Sequence, residues 1–97
     1  MYPVKHEPNG VNGVFYMEND GKRLAGIMYN RSSETVITLD HTLVDASLRG
    51  TGAGESLIKA AVEWAREQGF KIIPMCPYAN SVFMKNKPLQ DVLHLQK

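Results

Sequence analysis

The amino-acid sequence predicts an α+β fold, α/β in the wider sense, with a mixed, mostly antiparallel sheet and one β-α-β crossover, in the order β-β-β-α-β-α-α. Three observations carry this. Runs rich in β-branched and aromatic residues, parted by polar turns, fill the first half of the chain. One long amphipathic segment follows a glycine-dense loop, and a short apolar run comes directly after it.

Val14-Phe15-Tyr16-Met17-Glu18 reads as the first strand, and Asn19-Asp20-Gly21-Lys22 as a turn whose Asp-Gly pair tolerates positive φ. Leu24-Ala25-Gly26-Ile27-Met28-Tyr29 returns antiparallel, and Asn30-Arg31-Ser32-Ser33 turns into a longer run from Glu34 to Val44. In that third strand strict alternation puts Ile37, Leu39, His41 and Leu43 on one face, with Val36, Thr38, Asp40, Thr42 and Val44 on the other. Both faces carry apolar groups, as an interior strand requires. A helix is expected from Gly52 to Gln68, ended by Gly69, with Leu57, Ile58, Ala61, Val62 and Ala65 on one stripe that must cover the sheet. Lys71-Ile72-Ile73-Pro74-Met75-Cys76 is the crossover strand, parallel to the third. Pro74 lacks an N–H for the ladder, so a gap is expected there. Ala79 to Asn86 and Pro88 to Leu95 read as two short helices.

The 97 residues suit one domain, because a second hydrophobic core would need more chain. Positions 1–13 hold Pro3, Pro8 and two glycines and are expected to be flexible or loosely packed. Eleven Lys and Arg against ten Asp and Glu leave a formal charge of +1, too little to hold a polyanion or an anionic membrane, so neither nucleic acid nor membrane is expected as a partner. A single cysteine closes no intrachain disulfide, which favours a reducing cytoplasm, and no apolar run reaches the length of a membrane span. A monomer is expected over an oligomer, and no set of metal ligands stands out.

Arg49-Gly50-Thr51-Gly52-Ala53-Gly54 lies between a strand and a helix, where main-chain N–H groups lack intrahelical partners and the dipole is positive. Three alternating glycines let a bulky phosphate approach the main chain, and Arg49 adds charge. Glu55 stands where a dinucleotide loop needs its third glycine, and the Gly-Lys-Ser/Thr of a P-loop is absent, so neither NAD nor ATP is indicated. The same glycines also suit a plain tight turn and helix cap.

This loop resembles the coenzyme A loop of the GNAT superfamily of N-acetyltransferases. His41-Thr42-Leu43-Val44, Ala61-Val62-Glu63-Trp64-Ala65-Arg66 and Cys76-Pro77-Tyr78-Ala79 extend the resemblance to its small single-domain members, over Val14 to Leu93. The tail Asn86-Lys87-Pro88-Leu89 departs from the His-Pro and aromatic residue often found there. The resemblance implies a GNAT-like sheet and an acetyl-CoA-dependent N-acetyltransferase acting on an amine. It also implies that Thr42, Leu43 and Val44 offer main-chain groups to the pantetheine arm. By the same likeness Arg49, Gly50, Thr51, Gly52, Ala53 and Gly54 hold the pyrophosphate, completed by Glu55 and Ser56. Tyr78, Ala79 and Asn80 flank the thiol end, and Lys85 lies near the nucleotide.

For chemistry, Cys76 is the candidate nucleophile, able to carry the acetyl group as a thioester; it reads equally as a small buried hydrophobe. His41 is the candidate base, or else a hydrogen-bonded core or near-surface residue. Asp40 and Asp45 are solvated strand or loop residues, or attract a cationic acceptor. Met17, Met28, Met75 and Met84 are expected in the core, and His6 and His94 need no special role. Acetyl transfer, directly or through Cys76, thus stands beside two alternatives: a non-catalytic acyl-CoA-binding or regulatory module, and a phosphate-binding interaction domain.

Overall fold

A computed structural model describes residues 2–94. Its sheet has five strands in spatial order β1 to β5: β1 (Lys5–Asn9), β2 (Asn12–Asn19), β3 (Lys22–Arg31), β4 (Val36–Val44) and β5 (Lys71–Pro74). The first four are antiparallel neighbours, and β5 joins β4 in parallel through the crossover helix α1 (Ala53–Gln68). A 3₁₀ turn (Ala46–Leu48) precedes α1, while α2 (Pro77–Lys85) and a second 3₁₀ segment (Lys87–Val92) close the described chain.

The β2–β3 turn holds Asp20 at φ 51° and Gly21 at φ 77°, the primed geometry that matches strand twist and that an Asp-Gly pair accepts cheaply. Gly69 ends α1 in the left-handed region and returns its N–H to the Ala65 and Arg66 carbonyls, so the helix boundaries are those the sequence predicts to within one residue. Leu57, Ile58, Ala61, Val62 and Ala65 are fully buried against Phe15, Met17, Ala25, Ile27, Ile37 and Leu39 on one sheet face. Each of the larger aliphatic groups contributes about 1.5–3 kcal/mol by leaving water. Outside the apolar seam, Arg66 ties α1 to the closing segment through both oxygens of Asp91, at 2.8 and 2.7 Å, and the Pro88 carbonyl at 2.6 Å.

Four expectations are corrected. Residues 5–9 are an edge strand paired with β2, giving the order β-β-β-β-α-β-α; Lys5, Glu7 and Pro8 hide it from propensity, since charges and proline suit an unpaired edge. The final helix is a 3₁₀ segment, with Pro88 in its first turn and without the length for an α-helix; Leu95 lies outside the described residues. Strict alternation fails in β4. Met28 faces His41 while Tyr29 faces Leu39, so Asp40 is the extra residue of a bulge. Ile37 and Leu39 keep the helix-covered face, but His41 and Leu43 turn to the other one, and Thr42 and Val44 take their place. Finally, only Met17 of the four methionines is in the core; Met28, Met75 and Met84 are exposed at 43%, 62% and 54%. Met28 lies on the face α1 does not cover, a placement that hydrophobicity alone does not reveal.

His6, to which the sequence assigns no role, completes an aromatic cluster. Its ring stacks on Phe15 at 4.2 Å, meets Trp64 edge-on at 4.9 Å, and bonds the Tyr29 hydroxyl at 2.6 Å. Burial lowers its pKa below the ordinary 6.5. The unfolded chain therefore takes up the proton first. Stability from the neutral ring is complete above the unfolded pKa and is lost as pH falls through the folded one. Between about pH 7 and pH 5 the melting temperature is expected to fall further for the wild type than for His6→Phe. Equal slopes in the two proteins contradict this.

Candidate functional site

β5 pairs with β4 only over residues 36–39, where Pro74 stands opposite Leu39 as the last rung. The chain then turns. Met75 donates its N–H to the Ile73 carbonyl and Cys76 donates back to Leu39, each at 3.0 Å. Over residues 40–44 β4 keeps β3 as its single sheet neighbour, so main-chain groups on its other edge face a gap between diverging strands. The opening predicted at Pro74 lies just beyond it.

One end of this gap is closed by the loop into α1. Asp45 starts it, accepting the Ser47 N–H at 3.0 Å and the Ser47 hydroxyl at 2.6 Å; the hydroxyl first, then the N–H, hold its carboxyl below the usual carboxylate range. Gly50 and Gly52 have φ of 78° and 85°, and a Cβ at either would meet nothing within 4 Å. The glycines are thus needed for backbone conformation, and the space above them is open. Gly52 caps α1 without a side chain, which leaves the first-turn N–H groups unclaimed by any cap. A cavity of about 460 Å³ lies over this turn, lined by Thr42, Val44, Leu48, Arg49, Gly50, Gly52, Ala53, Gly54 and Tyr78. The Tyr78 ring closes against the helix: a Cβ on Gly54 would stand 2.7 Å from its hydroxyl oxygen. Burial, and then the Glu55 charge, push the Tyr78 hydroxyl pKa up.

Cys76 sits at the other wall, buried, at the N-cap of α2. Its Sγ lies 3.5 Å from the Thr42 hydroxyl. Burial opposes ionisation of the thiol. The Thr42 hydroxyl and the N–H groups of Ala79, Tyr78 and Thr42 outweigh that penalty, and the pKa falls below the ordinary 9.0. The neutral thiol makes no full capping bond, so the helix amides act mainly on the thiolate.

Most of the residues singled out from sequence converge here: Thr42, Val44, Arg49, Gly50, Gly52, Ala53, Gly54 and Tyr78 line one cavity, and Cys76 adjoins it through Thr42. Thr51 turns its hydroxyl to the Leu48 carbonyl at 2.5 Å. Glu55 pairs with Lys59 at 3.5 Å on the helix surface. Ala79 is buried within α2, while Asn80 and Lys85 are exposed and lie outside this cavity. Leu43, on the opposite face, is 63% exposed. His41 is exposed there too, and among the described residues no hydrogen bond joins it to Cys76, whose side-chain partner is Thr42. Leu48, a wall of the cavity, is missed by the sequence reading; its sole signal is an apolar residue between Ser47 and Arg49. No helix of the described chain is long and apolar enough to cross a membrane.

Comparison with known proteins shows the family and the fold. A family model described as GCN5-related N-acetyl-transferase matches residues 14–92. The Gallus gallus protein NATD1 is 33% identical over 73 residues, which are 74% of this chain and 66% of that relative, so just under two thirds of its length is spanned. The solution structure of a GCN5-like protein from Staphylococcus aureus superposes with a TM-score of 0.76 at 34% identity, covering 99% of this chain and 91% of that one. An aminoglycoside acetyltransferase from an uncultured soil metagenomic sample superposes at 0.66 with 22% identity, covering 92% and 66%; it shows the shared α+β fold alone.

The Thr42 contact is open to a direct check. Alkylation of Cys76 followed against pH is expected to give a midpoint below 9.0, and Thr42→Val is expected to raise it. An unmoved midpoint means that Thr42 does not tune the thiol.

Proposed function

Since the chain belongs to the GCN5-related N-acetyltransferase family, we propose that it transfers the acetyl group of acetyl-CoA to an amine and that Cys76 carries the group in between. The observation that carries this reading is the coincidence, in one slot, of an uncapped glycine-lined helix N-terminus and a thiol whose pKa is lowered. The first-turn amides and Arg49 hold the pyrophosphate, where Gly50 and Gly52 leave main-chain donors uncovered. The gap-facing edge of β4 takes the pantetheine arm as an added strand.

Acetyl-CoA supplies an activated thioester. Cys76 Sγ, as thiolate, bonds to the acetyl carbon, and the carbon–sulfur bond to CoA breaks with the pair leaving on the CoA sulfur, which takes up the proton lost by Cys76. The amides of Tyr78 and Ala79 stabilise the Cys76 thiolate, both before it attacks and as it leaves. The amine nitrogen then bonds to that carbon, Cys76 leaves as thiolate, and the proton passes from nitrogen to solvent or to His41. The exchange of one thioester for another is nearly balanced in energy, so no further driving force is needed. A free thiol suits a reducing cytoplasm. A second reading, a non-catalytic acyl-CoA-binding module, is favoured by the burial of Cys76 and by the lack of a hydrogen-bonded base beside it.

Two measurements test these readings. CoA at about 100 times its dissociation constant contributes ~2.7 kcal/mol to stability, an expected rise in melting temperature of roughly 10 °C for this size. Gly50→Val, at φ 78°, is expected to lose most of that rise; no rise with the wild type removes both readings. Intact mass after acetyl-CoA treatment is expected to show one acetyl on the wild type and none on Cys76→Ser. Full turnover by Cys76→Ser moves transfer to direct attack, while CoA binding without adduct or turnover leaves the binding module.

A further inference from the structure

The sheet face that α1 leaves uncovered carries a cavity of about 670 Å³, well inside the range of small-molecule sites. It lies over two ladder rows, of which Thr38 alone does not line it. Glu7, Val14, Met28 and His41 stand opposite one another across β1 to β4, and the next row on the same face is Asn9, Asn12, Asn30 and Thr38. The bulge in β4 sets Asp40 between the rows, where its carboxylate accepts from the Asn30 side-chain amide. Met75 closes the cavity at the gap between β4 and β5.

The charges in this cavity are unequal. Glu7 is neutralised by Arg23 at 3.0 Å, and the Arg23 guanidinium is itself held over the Tyr16 ring at 4.1 Å. The hydrogen-bond partner of Asp40 is a neutral amide, and among the described residues no cation pairs with it. One uncompensated carboxylate thus stands at the end of the cavity nearest His41 and the gap. Besides His41 and Tyr29, whose hydroxyl is bonded to His6, the remaining polar lining is carboxamide, from Asn9, Asn12 and Asn30. A carboxamide both donates and accepts, which is what a hydroxyl group needs; a long polyamine would instead call for repeated carboxylates. Met28 and Val14 form an apolar floor suited to the C–H face of a ring.

We infer that this cavity is the acceptor site and that it takes a small primary amine bearing several hydroxyl groups, of the amino-sugar class, with its ammonium at Asp40. The inference rests on the acetyl-transfer reading for its role, though not for binding itself. Asp40 attracts the cation, and His41, next in the chain and on the same face, accepts one ammonium proton. The neutral nitrogen then bonds to the acetyl carbon as the carbon–sulfur bond breaks; the pair leaves on sulfur, and the second proton passes from nitrogen to that sulfur or to solvent. The bulge is what brings attraction and proton acceptance to one edge of the gap.

Glucosamine is the probe, followed by backbone amide shifts of the full chain with and without CoA, beside sorbitol, which lacks the amine, and propylamine, which lacks the hydroxyls. Glucosamine is expected to shift Asn30, Asp40 and His41 and to bind at least about tenfold more tightly than either control. Asp40→Asn, which keeps the shape, is expected to weaken it by about the same factor while leaving the CoA-induced rise in melting temperature intact. Met28→Lys, at an exposed position that folding tolerates, is expected to abolish binding by placing a cation in the floor. The inference is overturned if glucosamine fails to bind, if its shifts cluster elsewhere, if propylamine binds as well, or if both variants bind like the wild type. Loss of the CoA effect alone defeats the acetyl-transfer reading and leaves the glucosamine titration readable.

Discussion

Beyond Leu39, strand β4 has a sheet neighbour on one side only, and the rest of the molecule is arranged around that half-finished edge. A strand edge inside a fold is costly, because its N–H and C=O groups need partners. The short pairing with β5, ended at Pro74, keeps the two strands together long enough to anchor the crossover and then releases them. Everything with chemical capacity stands along the opening: the uncapped turn into α1 at one end, Cys76 and the start of α2 at the other, and Asp40 and His41 on the far side of the strand.

The bulge at Asp40 gives this edge two working faces. Without the extra residue, Thr42 would point away from Cys76 and His41 would be buried under α1. With it, Thr42 reaches the thiol and lowers its pKa against the penalty of burial, while His41 joins the row that ends at Glu7. A one-residue insertion in a ladder shifts all later side chains to the other face, so a single local irregularity puts Thr42 on the thiol side and His41 on the uncovered face.

The core that anchors this edge lies on the face covered by α1. The α1 stripe is fully buried, and the cluster of His6, Phe15, Tyr29 and Trp64 fixes β1 and β2 against it. Arg66, gripping Asp91 and the Pro88 carbonyl, keeps the closing segment beside the same helix. Sites mounted on strands and helix ends held this way keep their geometry with little reliance on mobile loops.

Features that depend on local pattern were legible along the chain. The Asp-Gly turn, the interior strand, the bounds of α1 between Gly52 and Gly69, its buried stripe and the glycine loop at its start all follow from periodicity and from residues with restricted backbone choices. The resemblance of the loop and of Cys76-Pro77-Tyr78-Ala79 added the family. The rest depends on contacts between segments distant in sequence. Lys5–Asn9 becomes a strand because β2 offers it an edge. The parity of β4 reverses because β3 pairs with it two-for-one at Asp40, and Met28 and Met75 are exposed because no helix covers them. Neighbours along the chain carry conformational preference, but the face a side chain shows is set by pairing across strands, and that pairing exists only once the sheet has formed.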